Sequence, residues 1–263
     1  MNTLEWESLA PLLPLALLPA CQLAAAWSKR QLVRAFGWWG VPLTTGWIGV
    51  PVHELSHVLA AYLLGRKVVR VHWFAPDRDN GSLGSVEWQP GTGPLAWLAL
   101  LVVGVAPLVG GTLCLRGMLA GIALAVRRPL PDPPTAVDWQ AWQSAGDALA
   151  NWALAATATV WARPDPLAWL AVVAWWALIS VASHLSPSHS DLRGAWRGGL
   201  LVAAALALAM IGCQLTGWDW RHPGLGAAVQ LTWWLAPGLV LAMAGSLGMG
   251  AIATVLGLLR RRG

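Results

Sequence analysis

Five consecutive residues, His53-Glu54-Leu55-Ser56-His57, have the types and spacing of a metal-binding motif. On a helix, His53 and His57 are four positions apart and therefore face the same way. Two imidazoles on one face can hold a zinc ion, and the adjacent Glu54 can act as a general base. The alternative interpretation is a pair of core histidines hydrogen-bonded to neighbouring helices. Because the chain contains only six histidines in 263 residues, a chance match is rare.

The third metal ligand must come from another part of the chain, since a catalytic zinc usually takes three protein ligands and a water. The best region is the polar segment 183–194, which follows a later apolar run. Asp191 is the first candidate, followed by His189 and then His184. Asp191 also has a second interpretation, as the carboxylate in the first turn of the helix that follows it. The residues alone leave these alternatives open.

The elements that carry these residues are predicted to lie in a membrane. The chain is 57% hydrophobic and 11% charged, with a mean hydropathy of +0.56, whereas soluble domains carry about 25% charged residues. The apolar residues form long runs, and a transmembrane helix needs about 20 of them. The pattern predicts an all-α polytopic membrane protein with about six transmembrane helices in a single domain, 1–263. The predicted spans are 9–27, 36–64, 94–115 with an extension to 126, 167–185, 200–215 and 225–259, while 148–162 is short for a span.

The net charge of +5 comes from arginines that lie mainly in the short links between apolar runs. Arginines in such links usually serve to orient membrane helices. The distribution therefore indicates a lipid bilayer as partner and argues against nucleic acid. The three cysteines, Cys21, Cys114 and Cys213, lie in apolar runs without a CxxC spacing, which argues against a disulfide framework.

The segments around the motif are less regular than the spans. Pro51 is expected to break the second run just before His53, and such a break is tolerated where it lines a cavity. Segments 68–74 and 83–88 are rich in β-formers and flank the turn signal Asp79-Asn80-Gly81, so residues 66–93 are predicted to form a β-hairpin. Residues 127–147 are polar and proline-rich and are predicted to be a link.

Together these features resemble the site-2 protease family of intramembrane zinc metalloproteases. The matching features are the motif in an early span, a hairpin with the step Gly84-Ser85-Val86, a following span that contains glycine and proline, and a later Asp191 followed by Leu-x-Gly. The resemblance covers most of residues 36–197. It implies that His53, His57 and Asp191 bind zinc and that Glu54 is the catalytic base.

The resemblance also implies an activity, the hydrolysis of peptide bonds in membrane-spanning proteins or peptides. It further implies a multi-pass protein of the plasma (inner) membrane, with the zinc site toward the cytoplasmic side. Two other classes are a proteolytically inactive zinc-binding membrane scaffold or regulator, and a transporter or channel with an intramembrane polar site. The sequence does not name the substrate or the oligomeric state.

Overall fold

The computed structural model describes residues 13–132, 139–162, 166–216 and 221–260. Within these ranges the chain forms seven α-helices, one π-helical segment and two strands. In chain order they are α1 Leu13–Phe36, the π-helical segment Pro42–Gly46, α2 Trp47–Leu63, β1 Val68–His72, β2 Ser85–Trp88, α3 Pro94–Val126, α4 Trp139–Trp161, α5 Pro166–Ser183, α6 His189–Thr216 and α7 Arg221–Arg260. The predicted class is confirmed in its coarse form, as a mostly helical chain with a small sheet.

The outer surface of the helices is strongly apolar. Leu63, Leu124 and Leu215 are each more than 80% exposed, at 87%, 81% and 83%. Three described stretches, Pro94–Val126, His189–Ala209 and Gly238–Arg260, are long and apolar enough to cross a membrane. Exposing large apolar side chains to water costs free energy, whereas contact with lipid does not. These observations indicate a membrane protein, while the count of six spans stays a prediction.

Several helix boundaries differ from the predicted runs. Helix α1 continues through Ser28-Lys29-Arg30 to Phe36, because lysine and arginine are good helix formers and do not end a helix. Helix α3 is continuous over 33 residues, with Pro107 inside it. Helix α4 begins at Trp139, so the end of the predicted link 127–147 is helical. Residues 9–12 of the first run and 133–138 of the link lie outside the described residues.

The prediction that Pro51 breaks the second run was wrong. Helix α2 runs from Trp47 to Leu63 with Pro51 inside it, and the irregular backbone is the π-helical segment Pro42–Gly46 directly before it. A proline within a helix removes one hydrogen bond and needs room on the preceding turn. The wider π turn lies immediately upstream of that position, so the helix continues through the proline instead of ending there.

The β-hairpin is confirmed. Strands β1 and β2 pair antiparallel, with Val71 opposite Val86 and His72 opposite Ser85. The turn is held by the carboxylate of Asp77, whose two oxygens accept hydrogen bonds from the backbone N–H of Asp79 at 2.9 Å and from the amide of Asn80 at 2.8 Å. The hairpin thereby connects the end of α2 to the start of α3.

Glycines allow the helices around the motif to approach closely. A Cβ on Gly49 of α2 would lie 2.6 Å from Nδ1 of His184, and one on Gly104 of α3 would lie 2.7 Å from the carbonyl oxygen of Asp191. Small residues at such crossings are typical of helix packing in membranes. These contacts bring the ends of α5 and α6 against α2 and α3, and that arrangement positions the site.

Candidate metal centre

The side chains of His53, His57 and Asp191 converge on one point between α2 and α6. The Nε2 atoms of the two histidines are 3.2 Å apart. Nε2 of His53 is 3.4 Å from Oδ2 of Asp191, and Nε2 of His57 is 3.4 Å from Oδ1 of the same carboxylate. These three side chains form a group that could hold a metal ion.

The outer nitrogen of each imidazole bonds to a backbone carbonyl. Nδ1 of His53 donates to the carbonyl oxygen of His184 at 2.8 Å, and Nδ1 of His57 donates to that of Val103 at 2.7 Å. A carbonyl oxygen can only accept, so the proton of each neutral ring lies on Nδ1 and the lone pair lies on Nε2. Carbonyl partners of this kind orient metal-binding histidines in proteins. Each Nε2 also faces an oxygen of Asp191 at 3.4 Å, so the two inner nitrogens can either pair with that carboxylate or share a metal ion with it.

Asp191 is held by a capping box at the start of α6. Its Oδ2 accepts hydrogen bonds from the backbone N–H of Ser188 at 2.7 Å and from the Ser188 hydroxyl at 2.6 Å. In return, Oγ of Ser188 accepts from the N–H of Asp191 at 3.2 Å. This reciprocal pair satisfies backbone donors that a helix start otherwise leaves unpaired. Asp191 is therefore both the first-turn carboxylate of α6 and a member of the metal group, so its two predicted roles occur together.

Glu54 lies beside the two histidines and is 7% exposed. Within the described residues its carboxylate accepts no hydrogen bond, so its oxygens are available to a ligand. The hairpin closes over it at Gly84, where a Cβ would lie 3.0 Å from Cγ of Glu54 and 2.7 Å from Cγ1 of Val50. A buried carboxylate that has no hydrogen-bond partner among the described residues, next to a metal group, is well placed to exchange a proton with a small molecule.

The metal group opens onto a cavity of about 770 Å³. One wall is formed by the histidines and Glu54 of α2, and another by the polar segment that ends at Asp191. The hairpin contributes Gly84, Ser85 and Val86. Helix α1 presents Gln22, Ala25, Ala26 and Lys29 to the cavity, and α3 lines it with Leu100, Val103 and Gly104. The cavity is therefore large enough for part of a peptide, and several polar groups surround it.

The two alternative third ligands lie apart from the metal group. His184 is 8% exposed, and its Nδ1 lies 3.1 Å from the carbonyl oxygen of Ser180; its contribution is the backbone carbonyl that orients His53. His189 is exposed at the first position of α6 and is not part of the group. Of the three candidate third ligands, the structure places Asp191 beside His53 and His57.

Sequence reasoning missed several residues that shape the site. Ser188 could have been found, because serine followed three positions later by an acidic residue is a capping-box signal. Lys29 follows the end of the first predicted span, and no sequence signal indicates that it faces a cavity. The carbonyl groups of Val103 and His184 have no signal either, since every residue carries one.

Comparison of the chain with protein-family models, with curated proteins and with solved structures found no match.

Proposed function

We propose that this protein is an intramembrane zinc metalloprotease of the site-2 protease type. The observation that carries the proposal is the convergence of His53 and His57 with Asp191, which comes from a helix more than 130 residues further along the chain. Glu54 lies in the same cavity as this group and has no hydrogen-bond partner within the described residues. Two histidines, one carboxylate and a neighbouring glutamate are the donor set and the base that peptide hydrolysis by zinc requires.

The spacing of the donor atoms supports zinc as the metal. Zn–N and Zn–O bonds of about 2.0–2.1 Å in a tetrahedral site place donor atoms about 3.3–3.4 Å apart. The two histidine nitrogens are 3.2 Å apart, and each is 3.4 Å from an oxygen of Asp191. Neutral imidazoles with their lone pairs on Nε2 have the protonation state that a metal needs. A zinc ion held by these three side chains would have a fourth ligand position for water or substrate.

Each protein group has a distinct task in the proposed reaction. Zinc, when bound, supplies Lewis-acid activation of a water molecule and of the scissile carbonyl. Glu54 accepts the proton of the attacking water and then donates it to the nitrogen of the leaving amine, so that the peptide C–N bond is replaced by an acid and an amine. The carbonyls of His184 and Val103 keep the two imidazoles in the required orientation. Ser188 does the same for Asp191.

The hairpin is the element best suited to hold the substrate. A membrane-spanning helix hides its carbonyls in hydrogen bonds, so a stretch must unwind before attack. Strand β2 lies along the cavity, and within the described residues it pairs only with β1. Its other edge can therefore bind an unwound segment by strand addition. Proline substitutions along β2 that leave cleavage unchanged would contradict this part of the proposal.

The proposed setting is a bundle of about six transmembrane helices in the plasma (inner) membrane. The exposed apolar surfaces of α3, α6 and α7 support lipid as the surroundings of the bundle. The zinc site is proposed to lie toward the cytoplasmic side, as the resemblance implies. The 770 Å³ cavity supplies the polar space through which water would reach the zinc.

The proposal is tested by measuring zinc content and cleavage together in detergent-purified protein. Glu54→Gln should retain about one zinc per chain and lose activity by about 10²- to 10⁴-fold, the usual contribution of general acid–base catalysis. Glu87→Gln is the matched control, because Glu87 lies on β2 with an exposed side chain and does not line the cavity. Zinc binding without cleavage of any membrane-spanning substrate would favour the inactive scaffold. Wild-type protein without zinc would overturn the proposal.

A further inference from the structure

One wall of the cavity carries a positive charge that the proposed chemistry does not use. Lys29 lies on α1 and lines the same cavity as His53, Glu54 and Asp191. Among the described residues that line the cavity it is the only lysine or arginine. No carboxylate pairs with it in the described part of the chain.

The side chain of Lys29 is exposed and lines the cavity from α1. Its neighbours toward the cavity are Ala25 and Ala26, whose side chains are small, and Gln22 lies about two turns earlier on the same face. The amide of Gln22 donates to the carbonyl of Pro187 at 3.3 Å, which joins this wall to the segment that carries Asp191. The wall is thus fixed relative to the metal group, and the alanines leave room for a ligand beside the ammonium group.

The charge balance of the cavity favours an anion at this position. With a divalent metal bound, the charges of Glu54 and Asp191 offset that of the metal, which leaves the charge of Lys29 uncompensated. A cation in a partly enclosed cavity attracts an opposite charge more strongly than one in open water. An anionic ligand that enters the cavity would therefore meet a cation that has no carboxylate partner among the described residues.

We propose that Lys29 forms a subsite for a carboxylate of the peptide substrate, beside the metal centre. This inference rests on the proposed function for its substrate class. A cavity of 770 Å³ is about 11 Å across if roughly spherical, and about three residues of extended peptide span that distance. The carboxylate would therefore lie within about three residues of the scissile bond. It belongs either to an acidic side chain or to the C-terminal carboxylate of the substrate.

The test is a binding measurement with zinc-loaded Glu54→Gln protein in detergent, which avoids turnover. The probes are fluorescent apolar peptides that carry a single glutamate or an isosteric glutamine, each with a free or amidated C-terminus. The protein with Lys29 intact should bind the peptide that carries the recognised carboxylate about tenfold more tightly than the matched peptide in which that carboxylate is an amide. Zinc and Asp191 without the Glu54 charge also attract a carboxylate, and this attraction is the same with and without Lys29. Lys29→Met should therefore lower the preference measured in the same background, and Lys29→Glu should shift it toward a peptide with lysine at the same position. Dependence on glutamate or on the free C-terminus identifies which carboxylate is bound.

Arg30→Met is the matched control, because Arg30 is the next residue of α1 and does not line the cavity. It should keep the full preference. Equal affinity for all peptides, or a preference that Lys29→Met leaves unchanged, would overturn the subsite. These outcomes do not depend on whether the protein is a protease, because the binding preference is measured without cleavage. A protein that prefers the carboxylate but cleaves nothing would keep the subsite and lose the proposed activity.

Discussion

Gly49 of α2 packs against the imidazole of His184 so closely that a side chain at position 49 would overlap the ring. A Cβ at this position would lie 2.6 Å from Nδ1 and 2.8 Å from Cγ of that ring. Gly49 precedes His53 by one helical turn, and the carbonyl of His184 is the group that accepts the hydrogen bond from His53. The glycine therefore sets how closely α5 approaches the metal group.

Gly49→Ala should destabilise the protein and weaken metal binding. Alanine normally stabilises a helix by about 0.5–1 kcal/mol relative to glycine, but overpacking costs about 1–3 kcal/mol. Gly117→Ala is the matched control, because a Cβ on Gly117 of α3 meets nothing within 4 Å. Thermal unfolding in detergent should show opposite signs for the two variants. Equal stabilisation by both would contradict the close contact at Gly49.

His57→Ala and Asp191→Ala should each lower metal affinity by more than about 100-fold, because each removes a ligand rather than a residue that orients one. Metal content of purified protein, measured against a competing chelator, checks this. His189→Ala is the control, since His189 is exposed and lies outside the metal group. Retention of metal by Asp191→Ala and its loss in His189→Ala would reverse the assignment of the third ligand.

Ser188→Ala should weaken metal binding by about tenfold, because Asp191 loses a hydrogen bond of 2.6 Å that holds its Oδ2. The loss of the cap should also lower stability by about 1 kcal/mol. Ser188→Thr keeps the hydroxyl and should restore both properties. If the threonine variant binds metal as weakly as the alanine variant, the hydroxyl does not position Asp191.

Gly84→Ala should reduce cleavage while leaving metal content unchanged. The added Cβ would meet Cγ1 of Val50 at 2.7 Å, the carbonyl of His72 at 2.9 Å and Cγ of Glu54 at 3.0 Å. The hairpin must then move away from Glu54, and a displacement of about 1 Å can cost about 100-fold in rate. Glu87→Ala, on the exposed side of β2, should cleave normally. Loss of metal in Gly84→Ala would instead indicate a general failure of folding.

Local sequence patterns predicted the elements that carry the site. A separation of four residues puts His53 and His57 on one face of any α-helix, so their partnership follows from helix geometry alone. Two segments rich in β-formers on either side of the turn signal Asp79-Asn80-Gly81 predicted the hairpin, which is again a local pattern. Long apolar runs predicted where the helices lie. Their ends were predicted less well: lysine and arginine do not end a helix, so α1 extends past its predicted end.

The choice of Asp191 over His184 and His189 could not be made from the residues, because each is a chemically reasonable ligand in the same segment. It depends on the packing of α6 against α3 at Gly104 and on the capping box with Ser188. The direction of Lys29 toward the cavity depends in the same way on where α1 packs. Sequence spacing thus determined which side chains share a helix face. Only contacts between residues far apart in the chain decided which faces meet, because helix packing is a property of the whole bundle.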